Sequence, residues 1–169
     1  MEEKPYPPIT VVDEHDNVLG YMDLFAAIAL GQIRRVACVF VLDADGRILI
    51  QRRGPDVLSP NQLDFSAAGH VNEGQDYASA AEAELREELG VSGVELLPIV
   101  APFHTPGFYN GVFKVVLSKE DILTINPEEV TSVQWASYDE LAAMIAHHPQ
   151  QFTEPFLAAW PHVCDKIKI

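Results

Sequence analysis

Between Gly69 and Val91 the chain reads GHVNEGQDYASAAEAELREELGV, a glycine-punctuated loop running into an acid-rich helix. No other stretch narrows the choice of folds as much. From Tyr77 to Leu89 there is neither Pro nor Gly, and Ala and Leu dominate. Asp76 is placed to cap the start and Gly90 to end it, so a helix is predicted over Tyr77–Leu89. A turn of about 100° per residue lines up Ala78, Ala81, Leu85 and Leu89 as an apolar stripe for a core. Beside that stripe stand Glu84, Glu87 and Glu88, spaced three and four residues apart on one edge. Each like-charge pair at that spacing costs about 0.2–0.5 kcal/mol, and the helix dipole disfavours anions near the C-terminal end. A solvated acidic face is the plain reading. A hard divalent ion taking oxygen ligands, Mg²⁺ or Mn²⁺, is the functional one. The setting favours the ion: LDFSAA reads as a strand end, and Gly69 and Gly74 allow a tight loop whose carbonyls face the same place.

The segment resembles the Nudix box, Gx5Ex7REUxEExGU with U aliphatic, through Gly69, Glu84, Leu85, Glu87, Glu88, Gly90 and Val91. Two positions depart from it: the first box glutamate is Gln75, and the box arginine is Ala83. An arginine at 83 would stand one turn before Glu87 and pair with it. The departures are therefore expected to weaken support for Glu87 and to remove one anionic oxygen from the outer cup. The resemblance runs from about Ile9 to Trp160, and LDFSAAGHV and NPEEVTSVQW are similar to the branch related to type I isopentenyl-diphosphate isomerase. It implies an α/β fold, a Nudix-type α/β/α sandwich with a mixed sheet. It also implies Mg²⁺-dependent hydrolysis of a diphosphate linkage in a nucleoside diphosphate-X or related small molecule, with Mn²⁺ as the alternative ion. Glu84, Glu87 and Glu88, with the main-chain carbonyl of Ala68 or Gly69, would hold the metal. Glu84 or Glu88, or else Glu128 or Glu129 from a later loop, would serve as base. Arg52 and Arg53 are scarce cations, and one of them is expected to face the substrate, guanidinium being suited to phosphate.

The same branch raises a rival, an isomerase that protonates a double bond. Its cysteine position is Ala68 here, its Glu-x-Glu pair falls on Tyr109, Asn110 and Gly111, and no histidine pair precedes Val36. Without an acid the alkene cannot be protonated, so the hydrolase reading is preferred. His70 is read as a loop residue near substrate in preference to a metal ligand. His104 is site-facing or merely loop, and Phe108 and Tyr109 either stack on a base or pack inward, as aromatics in such loops more often do. A second rival is a Nudix-like binding domain that keeps metal or nucleotide affinity without turnover, which Gln75 and Ala83 favour.

The chain of 169 residues is read as a proline-bearing extended tail, 1–8, and a single domain, 9–169. Net charge of −14 argues against nucleic acid or an anionic membrane as partner; the small-molecule diphosphate that the resemblance implies would have to be met by a cation, and a homodimer stays open. No apolar run is long enough to span a bilayer, and the MEEK start lacks signal-peptide features, so a cytoplasmic address is expected. Both cysteines are read as unpaired thiols. IRRVACVFVLDADGRILIQRR reads as a β-hairpin about Asp43–Gly46, its first strand buried on both faces. VSGVELLPIVAPF is expected as a strand, HTPGFYNG as a loop, VFKVVL as a strand and SKEDILTINPEEV as a surface excursion. SVQWAS reads as a strand with Trp135 in the core, and helices are expected in YDELAAMIAHH and FTEPFLAAWPHV. Strands and helices mixed along the chain imply a layered α/β sandwich.

Overall fold

A computed structural model of the protein describes residues 6–118 and 120–168. Of the expected tail, residues 1–5 lie outside the described residues, while Tyr6, Pro7 and Pro8 are exposed and belong to no regular element. Strands β1 (Ile9–Val12) and β2 (Val18–Met22) form the first hairpin. Its turn is tied by the Asp13 carboxylate, which accepts from the N–H groups of His15 at 2.8 Å and Asn17 at 2.9 Å. Helix α1 (Leu24–Ala29) follows, capped by Asp23 and stopped at Gly31, whose φ of 64° suits glycine.

Strand β3 (Ile33–Leu42) is the spine of the sheet. Along one edge β9 (Phe108–Val116) runs parallel to it, in register from Arg34↔Phe108 to Leu42↔Val116. The other edge is shared antiparallel by β1, then β6 (Ala67–His70), then β4 (Ile48–Arg53). Val36 to Leu42 are all buried, as a strand covered on both faces should be. Cys38, Phe40 and Leu42 face a core shared with α3 (Tyr138–His147) and α4 (Glu154–Val163). Ala37, Val39 and Val41 face a second core under α2 (Tyr77–Leu89). Mixed sheet and flanking helices make the α/β sandwich that was expected.

The hairpin between β3 and β4 is a fork instead. The two strands share one register pair, Leu42↔Ile48, because β6 occupies the edge of β3 from Val36 to Val39. Beyond that point β4 pairs with β10 (Val130–Ala136) and with β5 (Leu63–Asp64). Ser66, buried in the crotch, bridges the prongs: its Oγ accepts from the Val41 N–H at 2.7 Å and donates to the Leu49 carbonyl at 2.6 Å.

Three further expectations change. VSGVELLPIVAPF yields only the two-residue β7 (Leu97–Pro98) before the chain bends. HTPGFYNG is no loop, since β8 (Phe103–Thr105) turns through Pro106 and Gly107 into β9, Gly107 taking φ 80°. The segment after β9 is more than a surface excursion: Thr124 N–H donates to Leu89 O and Asn126 N–H to Glu88 O, both at 2.9 Å, closing off the last turn of α2. Trp135 is half-buried at the margin of the α2-side core. Among the described residues no helix is long and apolar enough to cross a membrane.

Candidate metal and diphosphate site

Helix α2 begins and ends where its caps dictate. The Asp76 carboxylate accepts from Ser79 N–H at 2.8 Å, Ser79 Oγ accepts from Asp76 N–H at 3.0 Å, and Gly90 takes the left-handed conformation with φ 69°. The helix is rolled relative to the expected stripe. Ala80, Ala81, Leu85 and Leu89 are buried together with Glu88, whereas Ala78 is exposed. The roll carries Glu84 and Glu88 into the buried face and leaves Glu87 on the outer one.

Glu88 is only 4% exposed. Its Oε2 accepts from Gln51 Nε2 on β4 at 2.7 Å and from the Ala68 N–H on β6 at 3.2 Å, so the carboxylate spans the fork. Gln51 Nε2 also donates to Ser66 O at 3.2 Å, and its buried Oε1 has no partner among the described residues. Glu84 lies over Gly69, where a methyl group would overlap its carboxylate. Glu129 comes from the loop that closes α2, its Oε1 accepting from Asn126 Nδ2 at 3.0 Å. Gly54 lets that loop approach β4, its N–H donating to Glu129 O at 2.7 Å.

One carboxylate oxygen each from Glu84, Glu88 and Glu129 lie within 4.8 Å of one another. Glu87 is outside this group; its side chain is 57% exposed, with Oε1 3.5 Å from Arg86. Burial, then Glu87 and Glu129, push Glu84 up to about 7, against the pull of Arg53. Burial and then Glu84 hold Glu88 well above the carboxylate range, despite the bonds from Gln51 and Ala68. Glu129 is raised by burial and by Glu87. An all-oxygen set this close, with an orphan amide oxygen beside it, fits a hard divalent ion.

Strand alternation puts Arg53 on the sheet face of Gln51 and Arg52 on the other. Arg53 Nε donates to Leu58 O at 2.7 Å and Nη1 to Asp64 Oδ2 at 3.0 Å, while Arg52 Nη1 donates to Asn61 O at 2.7 Å. Asp64, buried, also accepts from Thr153 Oγ1 at 3.0 Å. His70 ends β6 on the face away from α2. Burial, then Arg34 and Arg53, push it down to about 4, so its imidazole is neutral near pH 7. His104 is exposed and stacks on Tyr109, and His162 stacks on Phe103 with ring centres 4.3 Å apart. Cys38 pairs in register with Ala68, which places a thiol beside β6 on the neighbouring strand. It is buried at 2% exposure, and burial, then Asp64, push it well up.

Gln51 belongs to no motif: it follows the apolar run ILI on β4, and a polar side chain on a strand bound for the core is its only signal in the sequence. From sequence, Glu129 enters only as an alternative base.

The NUDIX domain family model matches residues 32–156. An isopentenyl-diphosphate Δ-isomerase of Pectobacterium atrosepticum is 26% identical over 168 residues, 95% of this chain and 93% of its own. A prenyl-diphosphate phosphatase of Methanosarcina mazei is 28% identical over 171 residues, 94% of this chain and 98% of its own. A crystal structure from Deinococcus radiodurans shares the fold with TM-score 0.79 at 27% identity, over 92% of this chain and 98% of that one. The chain belongs to the Nudix family, in a branch related to isopentenyl-diphosphate isomerase, and this kinship supports pyrophosphohydrolase activity on diphosphate-containing compounds.

Proposed function

We propose that the protein is a Mg²⁺-dependent hydrolase cleaving a diphosphate linkage in a nucleoside diphosphate-X or related small molecule. The convergence of Glu84, Glu88 and Glu129 within 4.8 Å carries this reading. These three, with the carbonyl of Ala68 or Gly69, would hold the ion, and Glu87 would act on it through charge from outside. When bound, such an ion offsets charge developing on the leaving phosphate and acidifies water. Glu88 is committed to Gln51 and Ala68, and Glu129 to Asn126. Among the described residues Glu84 accepts no hydrogen bond from the chain, so its carboxylate is free to orient water and take its proton. Arg53, anchored through Nε and Nη1 to Leu58 and Asp64, keeps Nη2 for a phosphate oxygen.

Incubating the protein with Mg²⁺ and a panel of diphosphate compounds tests the proposal: turnover is expected, and Glu88→Gln should abolish it. Ligand-induced stabilisation with no turnover would instead mark a binding domain. Isomerase chemistry has less support, since Tyr109, Asn110 and Gly111 carry no carboxylate and Cys38 points into an apolar core.

A further inference from the structure

Of the eleven large apolar side chains that stand exposed among the described residues, seven fall between Tyr6 and Leu30. Phe25, Ile28 and Leu30 belong to α1 and its C-cap, outside the small core that Leu24 and Ala27 form with Ile9, Val11 and Met22. The Tyr6 ring meets that of Phe25 edge-on, their centres 6.4 Å apart. Leu19 on β2 shares a concavity of about 360 Å³ with Gly31, Gln32 and Ile33, which brings it beside the end of α1. Val18 and Tyr21 flank the outer edge of β2, the last strand on its side of the sheet, which pairs with β1 and with no other described strand. An apolar edge therefore runs from Tyr6 along α1 to Leu19.

The same edge is nearly free of charge. From Val18 to Ile33 the sole charged residue is Asp23, whereas a stretch of that length at the chain's 21% average would hold about three. The Asp23 carboxylate already accepts from the Ala26 N–H at 3.0 Å, capping α1. A nucleic acid or an anionic membrane is met by Lys or Arg, and the segment has neither. A basic partner would need acids, and the one acid is engaged. What fits is an apolar, uncharged surface, and a second copy of the chain presents one. Two molecules of net charge −14 repel wherever their acidic surfaces meet, and this edge is where they can approach without that repulsion. Together the seven side chains leave roughly 700 Å² uncovered, more than the largest apolar patch of a typical monomer and close to the ~800 Å² that each partner gives to a stable interface. The irregularity at Leu19, where the register with β1 shifts, breaks the hydrogen-bond rhythm of the edge, so side chains and not a shared strand make the contact.

We propose that the chain forms a two-fold symmetric homodimer through this apolar edge, α1 and β2 of one copy against the same elements of the other. In such a contact each residue occurs twice, so one substitution to glutamate places two unpaired carboxylates in it. Sedimentation velocity of the wild-type protein should show a concentration-dependent dimer with a dissociation constant at or below about 10 µM. Its melting temperature should rise with protein concentration. Leu19→Glu on β2 and Phe25→Glu on α1, both at exposed positions and on separate elements, should each weaken association by about tenfold or more with the circular dichroism of the fold retained. Ile122→Glu, on the segment that closes α2 and 82% exposed, should leave the dissociation constant within about twofold. A wild-type protein still monomeric at about 100 µM, a dimer untouched by both edge variants, or equal weakening by Ile122→Glu would overturn the proposal. So would a monomer that co-sediments with phosphatidylcholine vesicles, which would give the edge to a lipid surface instead.

Discussion

Gly69→Ala separates the folding role of the loop from its chemical one. Gly69 is absent from the positive-φ glycines, so alanine can adopt its backbone without strain, and the lost chain freedom of the unfolded state adds about 0.4–1 kcal/mol of stability. Against this stands the overlap between a methyl at 69 and the carboxylate of Glu84, the far end of a side chain that can move. Relieving it strains the packing by about 1–3 kcal/mol, so the net loss stays within about 2.6 kcal/mol and the melting temperature within roughly 10 °C of wild type. The carboxylate, however, must retreat by about 1 Å or more, and displacements of that size at a reacting centre cost on the order of a hundredfold in rate. The expectation is a folded protein whose kcat/KM on a diphosphate substrate with Mg²⁺ falls about a hundredfold, a loss of about 2.7 kcal/mol of transition-state stabilisation. Manganese affinity, followed by electron paramagnetic resonance, should fall with it. The argument also fixes a coupling: if Gly69 acts through Glu84, then Gly69→Ala added to Glu84→Gln should lower activity no further than Glu84→Gln does. Wild-type kinetics in Gly69→Ala, or simple additivity in the double variant, would refute it.

Glu129→Gln should weaken Mn²⁺ binding about tenfold and Glu87→Gln only a few-fold, because the first lies in the converging group and the second is largely exposed; the reverse order would restore Glu87 as a ligand. In metal-free protein Glu84 keeps its proton when folded and sheds it when unfolded between about 4.5 and about 7, so stability should fall as pH rises across that window. This group alone accounts for about 3 kcal/mol at most, and saturating Mg²⁺ should flatten the slope in a denaturant titration. Ser66→Ala strands the Val41 N–H and the Leu49 carbonyl, both buried, and should cost about 2–4 kcal/mol in urea unfolding. Gln75→Glu with Ala83→Arg should change kcat/KM less than about threefold, because Gln75 Oε1 is occupied with the Asn72 N–H at 2.9 Å and an arginine at 83 would meet a glutamate that is already exposed; a large gain would mean that the box departures do limit the site.

What could be read from the sequence is what local chemistry determines. The bounds of α2 follow from Asp76, Ser79 and Gly90, residues within a few positions of the ends they cap. Burial of β3 on both faces follows from an uninterrupted apolar run. The failures are all nonlocal. Asp43–Gly46 carries genuine turn chemistry, yet whether the strands beyond it stay paired depends on β6, which arrives later in the chain and takes the edge of β3. The segment HTPGFYNG, residues 104–111, reads as loop because of Pro106 and Gly107, although that dipeptide is itself a hairpin turn between β8 and β9 once β9 has a parallel partner in β3. In the site, Glu84 and Glu88 were visible through their spacing on one helix. Glu129, forty-one positions beyond Glu88 by their numbers, joins them through the tether from Asn126 to the end of α2 and the bond from Gly54 to its own carbonyl. Periodicity ranks apolar residues alone and so draws Ala78 into the stripe, whereas this helix buries a carboxylate in preference to that methyl.

That preference has a structural cause, and it lies in the fork. A continuous β3–β4 hairpin would pair Gln51 with β3 and leave no opening for a carboxylate between strands. Splitting the prongs costs backbone hydrogen bonds, which Ser66 and β6 partly replace. The split creates a slot whose walls present an amide side chain and a free backbone N–H, two donors aimed at one acceptor. Burying Glu88 is tolerable only there, because elsewhere under α2 the walls are Val39, Val41 and Leu49 and offer no donor. With Glu88 anchored, helical spacing leaves Glu84 one place to go, over Gly69, and the carbonyl of Glu88 holds Asn126 and with it Glu129. Gln75 and Ala83 contribute to none of these steps. Departures from the family pattern at those two positions therefore leave the chain of constraints that assembles the three carboxylates intact.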